Sequence, residues 1–558
     1  MSTTHLRRII IGTLVSVVFL FFATILPRTT TAIFASPDET AVSVFSEAWT
    51  WSQGFRVPTG LPEALASIPG LHPRSMVQQG SWLVPVGFLG MPMIAALLNS
   101  AWQGSDVFMT AVLVLFSAYA LFRLVRPLGA ITATVSAIVY LSFPTVLLYA
   151  NRGLFPNLPV VALTMCALWL LRDGKALWQS IVAGLLIGLA ATIRPVELGW
   201  MIPWIAWFAY LGFKAEPREF YKRIIVTLLA AATICAIGFF AAQQTYQGSL
   251  FGYFLPDVTG VSAPSSDGSV MNQIPSVTTL LPFGIHPRAM WQNIHLYFFG
   301  ILGPWVAAAF VGLALWLMRG SRDGRDDRTN GTDSALRNRL FNNPVRPVVL
   351  SSREFKVTWT ALALVAWTVF FLLLMYGQAA YADNINQRAT IGNSFLRYLL
   401  PLAPLIAVGI GLLVEQLIAL RARWTFFAYG LTVFFVTYGA LTALVRDEEG
   451  VLRTRLELQR YERIRTAADT LLRPGTVILS ERSDKIFANG PFVAVSPYPE
   501  QIKDVFASGA PVALFHRVMT MDEEDALMEG VTREPFLPVA FFENEALYAF
   551  PNALLPTP

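Results

Sequence analysis

Arg7-Arg8-Ile9-Ile-Ile-Gly-Thr-Leu-Val-Ser-Val-Val-Phe-Leu-Phe-Phe-Ala-Thr-Ile-Leu26, followed about a dozen residues later by Ser36-Pro37-Asp38-Glu39, is the stretch from which the fold of this chain is read. Two arginines lead into an apolar run close to the length needed to cross roughly 30 Å of hydrocarbon. No small-x-small cleavage site follows, so the run reads as a retained first helix rather than a signal peptide. The arginines place its start in the cytoplasm and the acidic pair in a loop on the far side.

The remainder repeats this pattern. Of 558 residues 54% are hydrophobic, 13% aromatic and only 14% charged, far from the usual soluble composition. Further apolar stretches lie near 105–125, 128–148, 157–171, 178–193, 198–213, 224–243, 294–318, 357–377, 398–418 and 424–445, making eleven spans with the first at 9–26. Pro85 and Pro92 interrupt residues 82–98, which read as a re-entrant or surface element. Lys and Arg gather in alternate loops: Arg123 with Arg126, Arg172 with Lys175, Lys214 through Arg223, the run from Arg319 to Lys356, and Arg421 with Arg423. The formal charge of +5 thus reports topology, with 319–356 as a flexible cytoplasmic linker, and not nucleic-acid binding. Cys166 and Cys235 both fall in apolar stretches, so no disulfide framework is expected.

This division puts residues 1–446 in a transmembrane domain and 447–558 in a smaller domain outside, with outer loops at 27–104 and 244–293. The tail opens with a helical pattern over Arg453 to Arg465, then shows four short apolar runs: Thr476-Val-Ile-Leu-Ser480, Phe492-Val-Ala-Val495, Pro511-Val-Ala-Leu-Phe515 and Ala546-Leu-Tyr-Ala-Phe550. Short apolar runs bounded by Pro, Gly and charge read as strands. The expected fold is mainly α, a polytopic membrane protein with about eleven transmembrane helices plus a small extracytoplasmic α/β domain.

Carboxylates and arginines facing outward carry the candidate chemistry. Asp38 and Glu39 stand next to the bilayer, and Arg152, Arg194 and Arg397 fall at membrane boundaries in apolar surroundings, a costly location for a charge. A planar guanidinium can hold phosphate oxygens through two parallel hydrogen bonds, so such residues suit a lipid phosphate. Snorkelling to headgroups, or pairing as Arg194 with Glu197, is the plain alternative. An echo joins Gly70-Leu-His72-Pro73-Arg74-Ser-Met-Val-Gln78 to Gly284-Ile-His286-Pro287-Arg288-Ala-Met-Trp-Gln292, sharing six of nine positions; His72, Arg74, His286 and Arg288 could face a polyanion, or the two segments are simply turns. No zinc signature, phosphate-binding Gly-rich loop or Gly-x-Ser-x-Gly elbow is found, and the five histidines are dispersed. No cofactor is therefore expected, and a divalent metal has no sequence support.

These features in this order resemble the GT-C superfamily of polytopic glycosyltransferases, in its protein-mannosyltransferase and aminoarabinose-transferase-like branch. The resemblance covers most of the membrane region. It rests on Asp38-Glu39 after the first helix, on Asn151-Arg152-Gly-Leu-Phe-Pro156-Asn157, on Gly184-Leu-Leu-Ile-Gly188-Leu-Ala-Ala-Thr-Ile-Arg194-Pro195 and on Arg397-Tyr398-Leu-Leu-Pro401-Leu-Ala-Pro404. Asn157 stands where family members carry a second acid. The resemblance implies an inverting transfer of a sugar from a polyprenyl-phosphate donor to an acceptor, which the sequence leaves open as protein, lipid or glycan, on the outer face of the plasma membrane. It further implies Asp38 as general base with Glu39 in support, and Arg397, Arg194, Arg288 and Arg152 on the donor phosphate, with Tyr398 beside them. The competing readings are a transporter or flippase of a lipid-linked or anionic substrate, which predicts broken central helices, an oligosaccharide ligase or polymerase using a polyprenyl diphosphate, and a non-catalytic scaffold.

Overall fold

The computed structural model describes residues 15–20, 23, 33–50, 52–68, 70–102, 104–213, 217–248, 285–326, 352–377, 390–392, 394–420, 422–446, 449–497, 499–529 and 536–556. Most of the first span and of the 244–293 and 319–356 segments lies outside them. The chain is a mainly helical polytopic membrane protein with small sheets. Among the described residues five helices are each long and apolar enough to cross a membrane: Phe108–Leu128, Tyr221–Tyr246, Trp359–Tyr376, Leu402–Leu420 and Arg423–Leu444.

Three further apolar segments are bent pairs, which bring the number to eight if each pair is one span. Ala130–Ser142 turns by 52° into Pro144–Asn151, Leu177–Ile193 by 120° into Pro195–Gly212, and Pro287–Ile301 by 84° into Gly303–Met318. The described residues thus do not yield eleven straight spans. Proline is the physical reason in the first two pairs, since it lacks the N–H of the helical ladder and pushes its predecessor out of helical geometry. Phe143 and Arg194, the residues before Pro144 and Pro195, accordingly have extended or irregular backbone angles. The expected span at 157–171 is the 17-residue helix Asn157–Asp173, buried along most of its length.

Small residues set the helix spacing. Gly409 of Leu402–Leu420 lies against Ala309, and Gly411 against Thr132 and Ser136, so that helix is wedged between two neighbours. Gly184 and Gly188 meet Thr227 and Ala231 of the long helix Pro217–Tyr246 in the same way. Without a hydrophobic driving force between helices in lipid, such close approach supplies the dispersion contacts that hold them together.

Residues 82–98 divide as their prolines suggest. Trp82–Pro85 is a strand, β3, of a three-stranded antiparallel sheet with β1 (Val57–Pro58) and β2 (Met76–Gln79), in the order β1-β3-β2. Gly90–Ala101 is a short apolar helix whose Gly90 abuts the backbone of Ile193. The sequence gives no sign of this sheet.

After the helix Val451–Leu471 comes a five-stranded sheet, order β5-β4-β6-β8-β7, built from β4 (Val477–Leu479), β5 (Val493–Val495), β6 (Val512–Arg517), β7 (Leu537–Phe542) and β8 (Glu545–Ala549). β5, β4 and β6 run parallel, and β8 and β7 continue the sheet antiparallel. Alternate residues fill two cores: Val477, Leu479, Val512 and Leu514 on one face, Ile478, Ala513, Phe515 and Leu547 on the other. The four apolar runs of the tail are four of these strands. β7 is not legible as a strand because Pro538 interrupts it, and proline is tolerated there only because β7 is an edge strand with a register shift at Pro538/Ala540.

Replacing Gly188 by leucine should force the helices Leu177–Ile193 and Pro217–Tyr246 apart, because even a Cβ at this position would lie 2.7 Å from the Ala231 carbonyl oxygen. Overpacking of this kind costs about 1–3 kcal/mol. A lower midpoint of thermal unfolding in detergent is expected.

Candidate active site

Ser36-Pro37-Asp38-Glu39 does not form a loop; it starts the helix Pro37–Ala48. The Ser36 side chain accepts from the Asp38 N–H at 3.2 Å and proline occupies the first turn, a combination that nucleates helices. Both acids therefore stand in the first turn, where acidic residues complement the helix dipole. They point differently. Glu39 is only 3% exposed, whereas the Asp38 side chain is 38% exposed and reaches Arg397.

Asp38 Oδ2 accepts from Arg397 Nη1 at 3.0 Å, across 359 positions of sequence. Its other oxygen, Oδ1, accepts from Ser75 Oγ at 2.6 Å. Arg397 sits on the short helix Ser394–Tyr398, just before Leu402–Leu420. Its Nη2 donates to the Tyr398 hydroxyl at 3.2 Å, while its Nε is buried without a hydrogen-bond partner. Burial works against its charge, but Tyr398 and the Asp38 carboxylate outweigh that, and its pKa lies above the ordinary value.

From Arg397 a row of alternating rings and guanidiniums extends both ways. The Arg397 guanidinium carbon lies 5.4 Å from the Phe155 ring centre and 5.1 Å from that of Tyr398. Arg152 lies 5.7 Å from the ring centre of the same Phe155 and 5.9 Å from that of Tyr149, whose hydroxyl donates to the Gly392 carbonyl at 3.0 Å. In the opposite direction Tyr398 stacks on Tyr376 with ring centres 4.2 Å apart and planes 5° from parallel. Arg194 then lies 5.0 Å from Tyr398 and 5.6 Å from Tyr376. Electron-rich ring faces make close placement of cations tolerable.

Arg194 occupies the 120° bend, where Pro195 stops the preceding helix. Its Nη2 donates to the Tyr376 hydroxyl at 3.0 Å, and that hydroxyl donates to Glu197 Oε1 at 2.9 Å. Arg194 Nε lies 3.2 Å from the same Glu197 oxygen, an ion pair without hydrogen-bond alignment. Trp200 Nε1 donates to the other Glu197 oxygen. The Arg194–Glu197 pairing weighed from sequence is thus present, and Arg194 still belongs to the row.

Other sequence candidates fall elsewhere. Arg74 donates from its backbone N–H to Asp484 Oδ2 at 2.7 Å and from Nε to Asp484 Oδ1 at 2.8 Å, so it ties the first-loop sheet to the C-terminal region. His72 Nδ1 lies 2.9 Å from the Pro73 carbonyl oxygen. His286 and Arg288 stand at the start of the helix Pro287–Asn293, Arg288 exposed. Asn157 is buried at the start of its helix with Oδ1 unpaired, two residues beyond Phe155. Arg152 Nε is likewise a buried donor without a hydrogen-bond partner. Among the described residues no group of three or more His, Cys, Asp or Glu converges as a metal site would require.

Ser75, Tyr376, Tyr149 and Phe155 join the site without being singled out by the sequence. Phe155 lies inside a quoted motif; nothing local distinguishes the other three.

The chain has the fold of ArnT from Cupriavidus metallidurans: it superimposes on the structure of that protein bound to undecaprenyl phosphate with a TM-score of 0.52 at 11% identity, over 98% of each chain. The apo state of the same protein gives 0.49, also at 11% identity and 98% coverage of each chain. No family model and no curated protein sequence matches the chain. At this identity the likeness is one of fold, and it agrees with the mainly helical polytopic architecture expected from the sequence.

Glu197→Ala should leave Arg194 as an uncompensated cation in a buried setting, since the two side chains are only 4% and 14% exposed. Breaking one partner of a buried ion pair costs about 3–5 kcal/mol. Thermal unfolding should report a destabilisation larger than that of Glu457→Ala, whose carboxylate pairs on the surface helix.

Proposed function

We propose that this chain is an inverting glycosyltransferase of the GT-C type, which moves a sugar from a polyprenyl-phosphate donor to an acceptor on the outer face of the plasma membrane. The observation that carries the reading is the half-exposed Asp38 held 3.0 Å from Arg397 at the centre of the arginine row. It puts a proton acceptor and an anion binder side by side, which is what displacement of a phosphate from a sugar needs. The ArnT structure sharing this fold is bound to undecaprenyl phosphate, a ligand whose chemistry suits the same row.

In this mechanism the acceptor hydroxyl attacks the anomeric carbon as Asp38 takes its proton, and the bond from that carbon to the phosphate oxygen breaks with inversion. Arg397 takes the charge that develops on the leaving phosphate, with Arg194 and Arg152 on either side. The buried Nε donors of Arg397 and Arg152 support this, because an unsatisfied buried donor costs about 1–3 kcal/mol, which an anion would relieve. The departing lipid phosphate and Asp38 compete for Arg397, so phosphate binding frees a carboxylate oxygen for its role as base. Glu39, buried on the same turn, supports the helix start. Arg288, exposed at the start of the helix Pro287–Asn293, meets the donor phosphate on its approach.

The bends at Pro144, Pro195 and Leu302 also favour a second reading, transport of a lipid-linked substrate along the arginine row. The two differ in product: a transferase releases polyprenyl phosphate and a transporter does not.

Asp38→Asn should lower transfer by about 10²- to 10⁴-fold, the contribution of a positioned base, and Arg397→Ala should weaken undecaprenyl-phosphate binding as well as transfer. Mass spectrometry of envelope glycans with and without the gene identifies the sugar and acceptor. Near-normal transfer by Asp38→Asn would remove it from the base role, and movement of intact lipid-linked sugar with no released polyprenyl phosphate would favour transport.

A further inference from the structure

Ser75 is one of three non-glycine residues with positive φ among the described residues, at φ 62°. A side chain in this left-handed region persists only where the surroundings over-determine it. Here they do so from both sides. Ahead of Ser75, one carboxylate, Asp484, takes the Arg74 backbone N–H at 2.7 Å and Arg74 Nε at 2.8 Å, with Arg74 Nη2 2.7 Å away. The Ser496 N–H donates to the His72 carbonyl at 3.0 Å. Behind it, the Ser75 carbonyl accepts from the Val86 N–H at 3.3 Å.

Asp484 is 1% exposed, comes 410 positions after Arg74 and touches no residue of the arginine row in any described ion pair or hydrogen bond. Its effect on chemistry would pass through the loop. The Ser75 Oγ donates to Asp38 Oδ1 at 2.6 Å, and with Arg397 on Oδ2 the plane of the carboxylate is set by two partners on different parts of the chain. Adjacent contacts tie the same C-terminal segment to the start of the Asp38 helix: Lys485 Nζ donates to the Ala35 carbonyl at 2.6 Å, and Asn489 Nδ2 to Ser43 Oγ at 3.4 Å.

We propose that Asp484 is a positioning residue for the reaction at Asp38, fixing Ser75 in its left-handed conformation so that the Ser75 hydroxyl aims the Asp38 carboxylate. This deepens the reading of Asp38 as base and rests on it. The C-terminal region thereby becomes part of the catalytic apparatus rather than an appendage. A displacement of about 1 Å in a reacting group can cost on the order of 10²-fold in rate, so a loop-borne effect of about 10- to 100-fold is expected.

The test uses the full chain reconstituted into membranes of the source cell lacking the gene, which supply the native donor and acceptor, with undecaprenyl phosphate as the binding probe on purified protein. Ser75→Ala and Asp484→Ala should each lower the maximal transfer rate by about 10- to 100-fold. The double variant should be no slower than the slower single one, because both act through one hydrogen bond. Affinity for undecaprenyl phosphate should stay within about twofold, since the arginine row is untouched. Asp484→Asn, with the same shape and one carbonyl left for Arg74, should give an intermediate rate and replaces the alanine variant if that does not fold. An inactive Asp38→Asn alongside Asp484 variants at full rate, or single effects that multiply in the double variant, overturns the positioning role alone. So does loss of undecaprenyl-phosphate binding in both Asp484 variants, which marks a general structural role. Near-normal transfer by Asp38→Asn overturns the reading of Asp38 and the positioning role with it.

Discussion

A guanidinium buried at one end of an apolar bundle must find compensation within the protein, and three of them here find it in aromatic faces and two carboxylates. Arg152, Arg397 and Arg194 are interleaved with Phe155, Tyr398 and Tyr376, while Asp38 and Glu197 pair with the second and third. Much of the surrounding architecture follows from that demand. The Pro195 bend presents Arg194 to Tyr376, the short helix Ser394–Tyr398 delivers Arg397 and Tyr398 together, and the break before Asn157 exposes Arg152 and Phe155 to the same row.

The two carboxylates do different work in this arrangement. Glu197 is almost fully buried and saturated by Arg194, Tyr376 and Trp200, which makes it a fixed counter-charge. Asp38 is half exposed and shares Arg397, whose remaining buried Nε has no hydrogen-bond partner. One ion pair is closed and one is open. An open pair beside surplus positive charge is the natural place for an anionic substrate to enter, because it can exchange partners without leaving a charge bare.

Much of this is legible along the chain, and the reasons for success and failure are physical. Arg152, Arg194, Arg397 and Asp38, which the structure brings into one row, can be singled out in sequence because charge at a membrane boundary is expensive whatever it touches. The helix start at Asp38 is also written in the sequence, as Ser36 followed by Pro37 and two acids, although its place beyond the first span reads as loop. The four apolar runs of the tail are strands because period-two burial on both faces demands apolar residues throughout. The first-loop sheet leaves no such trace: β1 has only two residues and its partners lie amid Gly, Pro and polar residues, too little signal for periodicity to register. Counting spans by hydropathy also gives more than the straight helices found among the described residues, because hydropathy is blind to the direction a helix takes after a break.

The sequence by itself determined that the chain lives in a bilayer, where its charges are concentrated, and which arginines and acids stand where a charge is costly, since each follows from the free energy of transferring a residue into hydrocarbon, a local property. Only the tertiary structure decided which charge meets which. That Asp38 pairs with Arg397 and that Arg74 is taken by Asp484 are matters of distance across hundreds of positions. The same holds for Ser75, an ordinary serine in sequence whose left-handed backbone and bond to Asp38 arise beside a carboxylate far along the chain that holds the residue before it.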